Sequence, residues 1–160
     1  AQGDYPVECV KTMVKIANRV EPEINYWKRF DENKDIELLN YGEKVAYSAC
    51  VSAKVMNADA IVCYTNTGNT AKRLAGLGAG CPILAITDNK RTFRQLALVW
   101  NVTPILVEKA ESIEKTIEAG IEKLKNKEIL ESGDTVVITG GSQMLPDANT
   151  SKTIGGVLKI

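Results

Sequence analysis

From residue 60 to residue 139 the chain alternates short apolar runs with amphipathic stretches, and this alternation restricts its fold more than any other feature. Ala60-Ile61-Val62-Cys63-Tyr64 is a continuous apolar run of the kind shown by a strand covered on both faces. Residues 82–87 and 103–107 repeat the pattern. Between these runs, residues 67–77, with Ala71, Leu74 and Ala75 at helical spacing, and residues 90–100 predict helices. Strand, helix, strand, helix, strand is the order that builds a parallel sheet, because parallel neighbours need a crossover. A helix over 112–126 with Ser112 at its N-cap, a turn at Ser132-Gly133-Asp134 and a fourth strand over 135–139 extend the series. Gly140-Gly141-Ser142 then opens a polar loop expected to reach Thr150, and the apolar stretch 156–160 reads as an edge strand.

Upstream of the alternation, Val10, Met13, Val14 and Ala17 form a helical stripe after Pro6, a residue favoured in a first helical turn, so a helix is expected over 6–20. Residues 21–40 place Tyr26, Trp27 and Phe30 among Lys28, Arg29, Asp31 and Glu32 without a sustained period, and read as a linker or docking segment. A second helix is expected over 42–56, its inner face carrying Val45, Ala46, Ala49, Cys50 and Ala53.

A length of 160 residues, 44% of them hydrophobic, suits one domain with a sizeable core. Twenty basic and twenty acidic residues cancel, so no global field favours nucleic acid or a membrane surface, and anion binding has to be local. Cys9, Cys50, Cys63 and Cys81 are scattered with no CxxC pair, against a zinc site or a disulfide framework, and Cys63 and Cys81 read as small buried hydrophobes. The absence of histidine removes Ser-His and Cys-His nucleophile systems and imidazole metal sites. With no leader-like start and no apolar run near eighteen residues, a cytoplasmic location is expected.

One segment carries the chemistry. Thr65-Asn66-Thr67-Gly68-Asn69-Thr70 lies where the first strand turns into a helix, so unpaired N–H groups and the positive end of the helix dipole meet three hydroxyls and a glycine that permits close backbone approach. That suits a phosphate or carboxylate. The simpler reading makes Thr67 a plain N-cap. If the winding reverses after the third strand, the first and fourth strands are neighbours, and the turn meets the loop 140–150 at a crevice where ligands collect.

Other signals are weaker. Gly76-Leu77-Gly78-Ala79-Gly80 follows a helix and precedes a strand, the reverse of a dinucleotide fingerprint. Thr87 or Asp88 reads as the cap of the next helix, with Lys90 and Arg91 in its first turn and Arg91 a weak candidate for reaching an effector. Trp100 reads as a half-buried packing residue, and the charges of 111–128 as a solvated helix face.

Several of these stretches, taken in order, resemble the pyruvate kinase family. Asp4-Tyr5-Pro6-Val7-Glu8-Cys9-Val10-Lys11-Thr12-Met13 resembles the last barrel helix of those enzymes. The turn and strand at 60–70, Pro82-Ile83-Leu84-Ala85-Ile86-Thr87 with Thr92, Arg94-Gln95-Leu96 and Val99-Trp100, and Gly133-Asp134-Thr135-Val136-Val137-Ile138-Thr139 resemble their C-terminal domain. The resemblance implies an α/β fold in three layers, α/β/α, with a mostly parallel five-stranded sheet of order 3-2-1-4-5 and the fifth strand antiparallel. It implies a division into residues 1–40, a remnant of the catalytic barrel domain plus linker, and residues 41–160, a regulatory domain. The family's catalytic and metal-binding residues lie in the barrel, so catalytic residues and cofactors are expected to be absent here, with Mg²⁺ and K⁺ serving the parent enzyme.

The same resemblance implies a phosphorylated effector held by Thr65, Asn66, Thr67, Gly68, Asn69 and Thr70, with Ser142, Asn149 and Thr150 from a lid. The stretch 108–114 offers only Lys109 for a second phosphate, and the lid carries Asp147 and no arginine. A sugar monophosphate or AMP therefore fits better than fructose 1,6-bisphosphate, since a carboxylate beside a dianion is repulsive. The other expected partners are the family's own barrel domain and further copies of the chain, in a tetramer that uses helix 42–56 and the final strand, with no nucleic acid and no membrane. Two alternatives stand beside this: an assembly domain with a vestigial pocket, and a free-standing phosphate-binding module.

Overall fold

The computed structural model describes residues 3–32, 39–143 and 151–160, the side chains of 141–143 and 151–154 excepted. Helix α1 (Pro6–Val20) leads through a 3-10 turn (Glu21–Glu23) to the short helix α2 (Tyr26–Glu32), and α3 (Tyr41–Met56) follows. The alternating part then runs β1 (Ala60–Tyr64), α4 (Asn69–Gly76), β2 (Ile83–Thr87), α5 (Lys90–Leu96), β3 (Val102–Leu106), α6 (Ile113–Asn126), β4 (Thr135–Gln143) and β5 (Ser151–Lys159).

The five strands make one sheet in the order β3-β2-β1-β4-β5, as the resemblance implied. β1 pairs in parallel with β2, Val62 opposite Leu84, and with β4, Val62 opposite Ile138. β5 pairs antiparallel with β4, Val137 opposite Val157. Successive side chains of a strand point to opposite faces, and β1 is buried throughout, so it feeds two cores. Ile61 and Cys63 join Ala46, Cys50, Ala53, Ala71, Leu74 and Leu96 on the face covered by α3, α4 and α5. Val62 and Tyr64 join Ile117, Ile121 and Leu124 of α6 on the other. The layers are thus helices, sheet, helix.

One open reading of the sequence is decided and another needs correction. Between linker and docking segment, the described part of residues 21–40 docks, because α2 inserts Phe30, 3% exposed, into the first core. Phe30 stacks on Tyr47 with centroids 5.0 Å apart and meets Trp27 edge-on at 5.8 Å. The interaction is long-range, so no local periodicity announces it. Second, the fourth strand does not stop at Thr139. It continues through Gly140, Gly141 and Ser142 to Gln143, paired with a β5 that begins at Ser151. Cross-strand pairing along the hairpin overrides the poor strand propensity of the glycines.

No residue of α1 is buried, and Val10, Met13, Val14 and Ala17 of its apolar stripe are all exposed. Among the described residues no helix is long and apolar enough to cross a membrane.

Candidate functional site: the β1 to α4 turn

The turn is held from inside. Thr65, 3% exposed, receives the Gly68 N–H on its Oγ1 at 2.9 Å and donates its own N–H to the Ile86 carbonyl at 3.0 Å. Gly68 stands at the N-cap of α4 with φ +84°, a left-handed conformation that glycine adopts without strain, and its carbonyl receives the Lys72 N–H at 3.0 Å. Helix α5 leaves little room there, since a β-carbon on Gly68 would stand 3.3 Å from Leu96 Cδ2 and 3.4 Å from Thr92 Cγ2.

The side chains of the turn divide into two groups. Thr65 points its hydroxyl inward, and Asn66 is engaged sideways: its carbonyl accepts a 2.6 Å hydrogen bond from Thr92 Oγ1 and its Oδ1 a 3.4 Å contact from Asn89 Nδ2. Thr67 and Asn69 are exposed and Thr70 half-buried, leaving these three beside the helix start. No side chain caps α4. The other three helices that open on the sheet or pack on it are capped by side chains: α3 by Asn40, α5 by Asn89 and α6 by Ser112. Thr67 is therefore not the N-cap that the simpler reading made it.

Charge near the turn is local, as a neutral chain requires. A cleft of about 480 Å³ opens on the α3 side of α4, lined by Asn69, Lys72, Arg73, Leu39, Glu43 and Leu77. The Arg73 guanidinium lies against Gly42, where a β-carbon would collide with it. The Glu43 carboxylate is committed to the Asn40 N–H at 2.9 Å. Lys72 and Arg73 thus give this side of the turn a positive bias. On the sheet side, burial together with the charge of Asp88 pushes the Tyr64 phenol up.

Of the second loop, residues 140–143 are described. Tyr64 lies opposite Gly140, so β4 does run beside the end of β1. Ser142, expected in a lid, lies in the last part of β4 and pairs opposite Lys152. Asn149 and Thr150 lie outside the described residues. The residues that the sequence reading missed are Asn89 and Thr92. Asn89, and not Thr87 or Asp88, caps α5, receiving the Arg91 and Thr92 N–H groups at 2.9 and 3.3 Å, while Thr87 Oγ1 accepts the Asn89 N–H at 3.2 Å. An asparagine directly before Lys90 is a strong cap signal and could have been read. Arg91 and Lys109 are exposed.

Trp100 packs as a partly buried residue, as expected, with a partner that the sequence did not suggest. It is 41% exposed, donates Nε1–H to Glu21 Oε1 at 2.9 Å and lies 4.7 Å from the Tyr26 ring. Burial raises the thiols of Cys50 and Cys63 to about 12 and that of Cys81 to about 11, so the buried cysteines are inert hydrophobes. Among the described residues no three His, Cys, Asp or Glu side chains group as a metal would need.

Comparison with known proteins agrees with this architecture. Residues 43–154 match the family described as "Pyruvate kinase, alpha/beta domain". A pyruvate kinase of Clostridium acetobutylicum is 36% identical over 141 residues, which are 88% of this chain and 30% of that protein. Pyruvate kinase 2 of Synechocystis is 39% identical over 145 residues, 89% of this chain and 23% of that protein. The chain thus spans less than a third of the length of either relative. A solved structure, Cryptosporidium parvum pyruvate kinase in complex with ADP, superposes with a TM-score of 0.76 at 24% identity, covering 99% of this chain and 32% of that one, and shares the fold. Sheet order, an antiparallel last strand and a family match spanning most of the sheet converge on one conclusion: the chain belongs to the pyruvate kinase family, as its C-terminal alpha/beta domain.

Proposed function

We propose that this chain is the regulatory part of a pyruvate kinase, and that it binds a phosphorylated small molecule, a sugar monophosphate or AMP, at the 65–70 turn. The parent reaction is phosphoryl transfer between phosphoenolpyruvate and ADP, with Mg²⁺ and K⁺, carried by residues outside this chain. One observation carries the binding reading: α4 alone among α3 to α6 opens without a side-chain cap, on a left-handed Gly68. Its first N–H groups and the dipole behind them favour an anion. Thr67, Asn69 and Thr70 supply polar side chains there, and the cleft toward Lys72 and Arg73 gives room for the remainder of the effector.

An effector shifts the parent enzyme only by its differential affinity for two states. The test is an amide spectrum of the chain titrated with glucose 6-phosphate, AMP and inorganic phosphate. Saturable shifts that include the amides of Thr67 to Ala71 are expected, and silence from all three probes refutes the reading. Phosphoenolpyruvate, ADP, Mg²⁺ and K⁺ added to this chain alone are expected to yield no pyruvate.

A second reading, assembly, has its own support. β5 is the sheet edge opposite β3, with Val157 and Leu158 exposed, and a cleft of about 370 Å³ lies between it and Val45, Ser48 and Ser52 of α3. An open apolar edge favours pairing with another copy. If the pocket is vestigial, Thr67→Asp leaves the activity of the full-length enzyme unchanged while this chain still sediments as a dimer.

A further inference from the structure

Residues 92–100 touch two places that the sequence keeps far apart. At one end, buried Thr92 holds the Asn66 carbonyl at 2.6 Å and buried Leu96 lies under Gly68, so the turn into α4 rests on α5. Beyond α5 the chain continues through hydrogen-bonded turns. The Leu98 N–H donates to the Gln95 carbonyl at 3.2 Å, Val99 to Leu96 at 3.0 Å and Val102 to Val99 at 3.3 Å, with Val99 packed on the core. This segment carries Trp100, whose indole N–H is bound to Glu21 and whose ring lies against Tyr26. Glu21 closes α1, its own N–H bonded to the Ala17 carbonyl.

We propose that residues 92–100 couple anion binding at the 65–70 turn to the C-terminal end of α1, with Thr92 as a positioning residue for the turn and Trp100 as the group that meets α1. The proposal rests on the reading that the turn takes a phosphate. An anion drawing in the N–H groups after Asn66 pulls on the Asn66 peptide, and the hydroxyl of Thr92 moves with that peptide's carbonyl. A close-packed interior does not absorb such a shift by deforming smoothly, so it is passed along the bonded segment. Coupling of this kind is reciprocal: a change at Glu21 alters phosphate affinity as binding alters Trp100.

Contiguity alone is not coupling, so the readout has to be Trp100 itself. The whole chain, labelled with ¹⁵N, is titrated with inorganic phosphate. The Thr67 to Thr70 amides and the Trp100 indole N–H are expected to shift along one saturation curve, while the Trp27 indole, seated over Gly80, stays in place. Thr92→Val is expected to abolish the Trp100 response, and Thr92→Ser, which keeps the hydroxyl, to restore it. Glu21 is exposed, so Glu21→Ala tests the same link without risk to the core, and a change of about fivefold in phosphate affinity is expected. Turn amides that saturate while Trp100 stays still overturn the coupling and leave the binding site standing. A Trp100 response undiminished in Thr92→Val, or a phosphate affinity unaltered in Glu21→Ala, also overturns it. If no turn amide moves, the site and the coupling fall together.

Discussion

The Trp27 indole covers Gly80 so closely that a β-carbon on the glycine would stand 2.6 Å from Cδ2 and Cε2 of the ring. From that contact an aromatic series runs through Phe30 to Tyr47 of α3, which fastens α2 to the sheet-covering helices. Gly80→Ala is therefore expected to push Trp27 aside and to destabilise the fold by about 1–3 kcal/mol, the usual cost of overpacking. Urea unfolding and near-ultraviolet circular dichroism of the tryptophans measure it. An unchanged midpoint and spectrum would show that α2 is not fastened there.

Two helical glycines should respond to the same substitution with opposite sign. Gly120 of α6 is buried, and a β-carbon on it would collide with Cδ1 of Ile86 and stand 2.6 Å from Cγ1. Gly120→Ala is expected to cost about 1–3 kcal/mol, more than the gain in helix propensity of about 1 kcal/mol returns. Gly76, at the end of α4, has nothing within 4 Å of that position. Gly76→Ala is expected to stabilise by about 0.4–1 kcal/mol. Chemical denaturation of the two variants decides, and equal signs would contradict the packing of α6 on β2.

At the turn, Thr65→Val keeps the shape of the side chain and removes the acceptor of the buried Gly68 N–H. An orphaned buried donor costs about 1–3 kcal/mol, and Thr65→Ser should recover most of it. Thermal unfolding of the pair is the measurement. A Val variant as stable as the parent would mean that the turn finds its support elsewhere.

The cysteines give a pH dependence with a definite sign. Burial lifts Cys50 and Cys63 to about 12 and Cys81 to about 11 from an ordinary 9.0. Above pH 9 the unfolded chain loses thiol protons that the folded chain keeps, so the stabilisation is complete below pH 9 and falls as pH rises toward 11 to 12. Each thiol contributes at most about 1.4 kcal/mol per pH unit to that slope. Denaturant midpoints between pH 9 and pH 10 should decline, and more gently in Cys63→Ala, by about a third. At pH 8 a disulfide reagent should titrate one thiol, Cys9, which is exposed, and all four after denaturation.

Much of the fold was written locally. The apolar runs at 60–64 and 82–87 hold the fully buried strands β1 and β2, and helix α1 spans the expected residues 6–20. These features depend on neighbours within a turn or a strand, so composition and spacing encode them. The exposure of the turn's side chains was not legible, because it depends on partners far along the chain: Thr92 lies 26 residues from the Asn66 carbonyl that it holds. Trp100 and Glu21, 79 residues apart, form a contact that neither local sequence suggests. The strand character of Gly140 and Gly141 has the same origin, since glycines without intrinsic strand preference are held extended by pairing with Ile154 and Thr153. The sequence by itself determined the alternation and the place where a strand gives way to a helix, and the family resemblance implied the sheet order. Only the tertiary structure decided which groups at that place are spent on holding the turn, Thr65 and Asn66, and which stay beside the helix start, Thr67, Asn69 and Thr70, because hydrogen bonds between distant segments form only once the sheet brings them together.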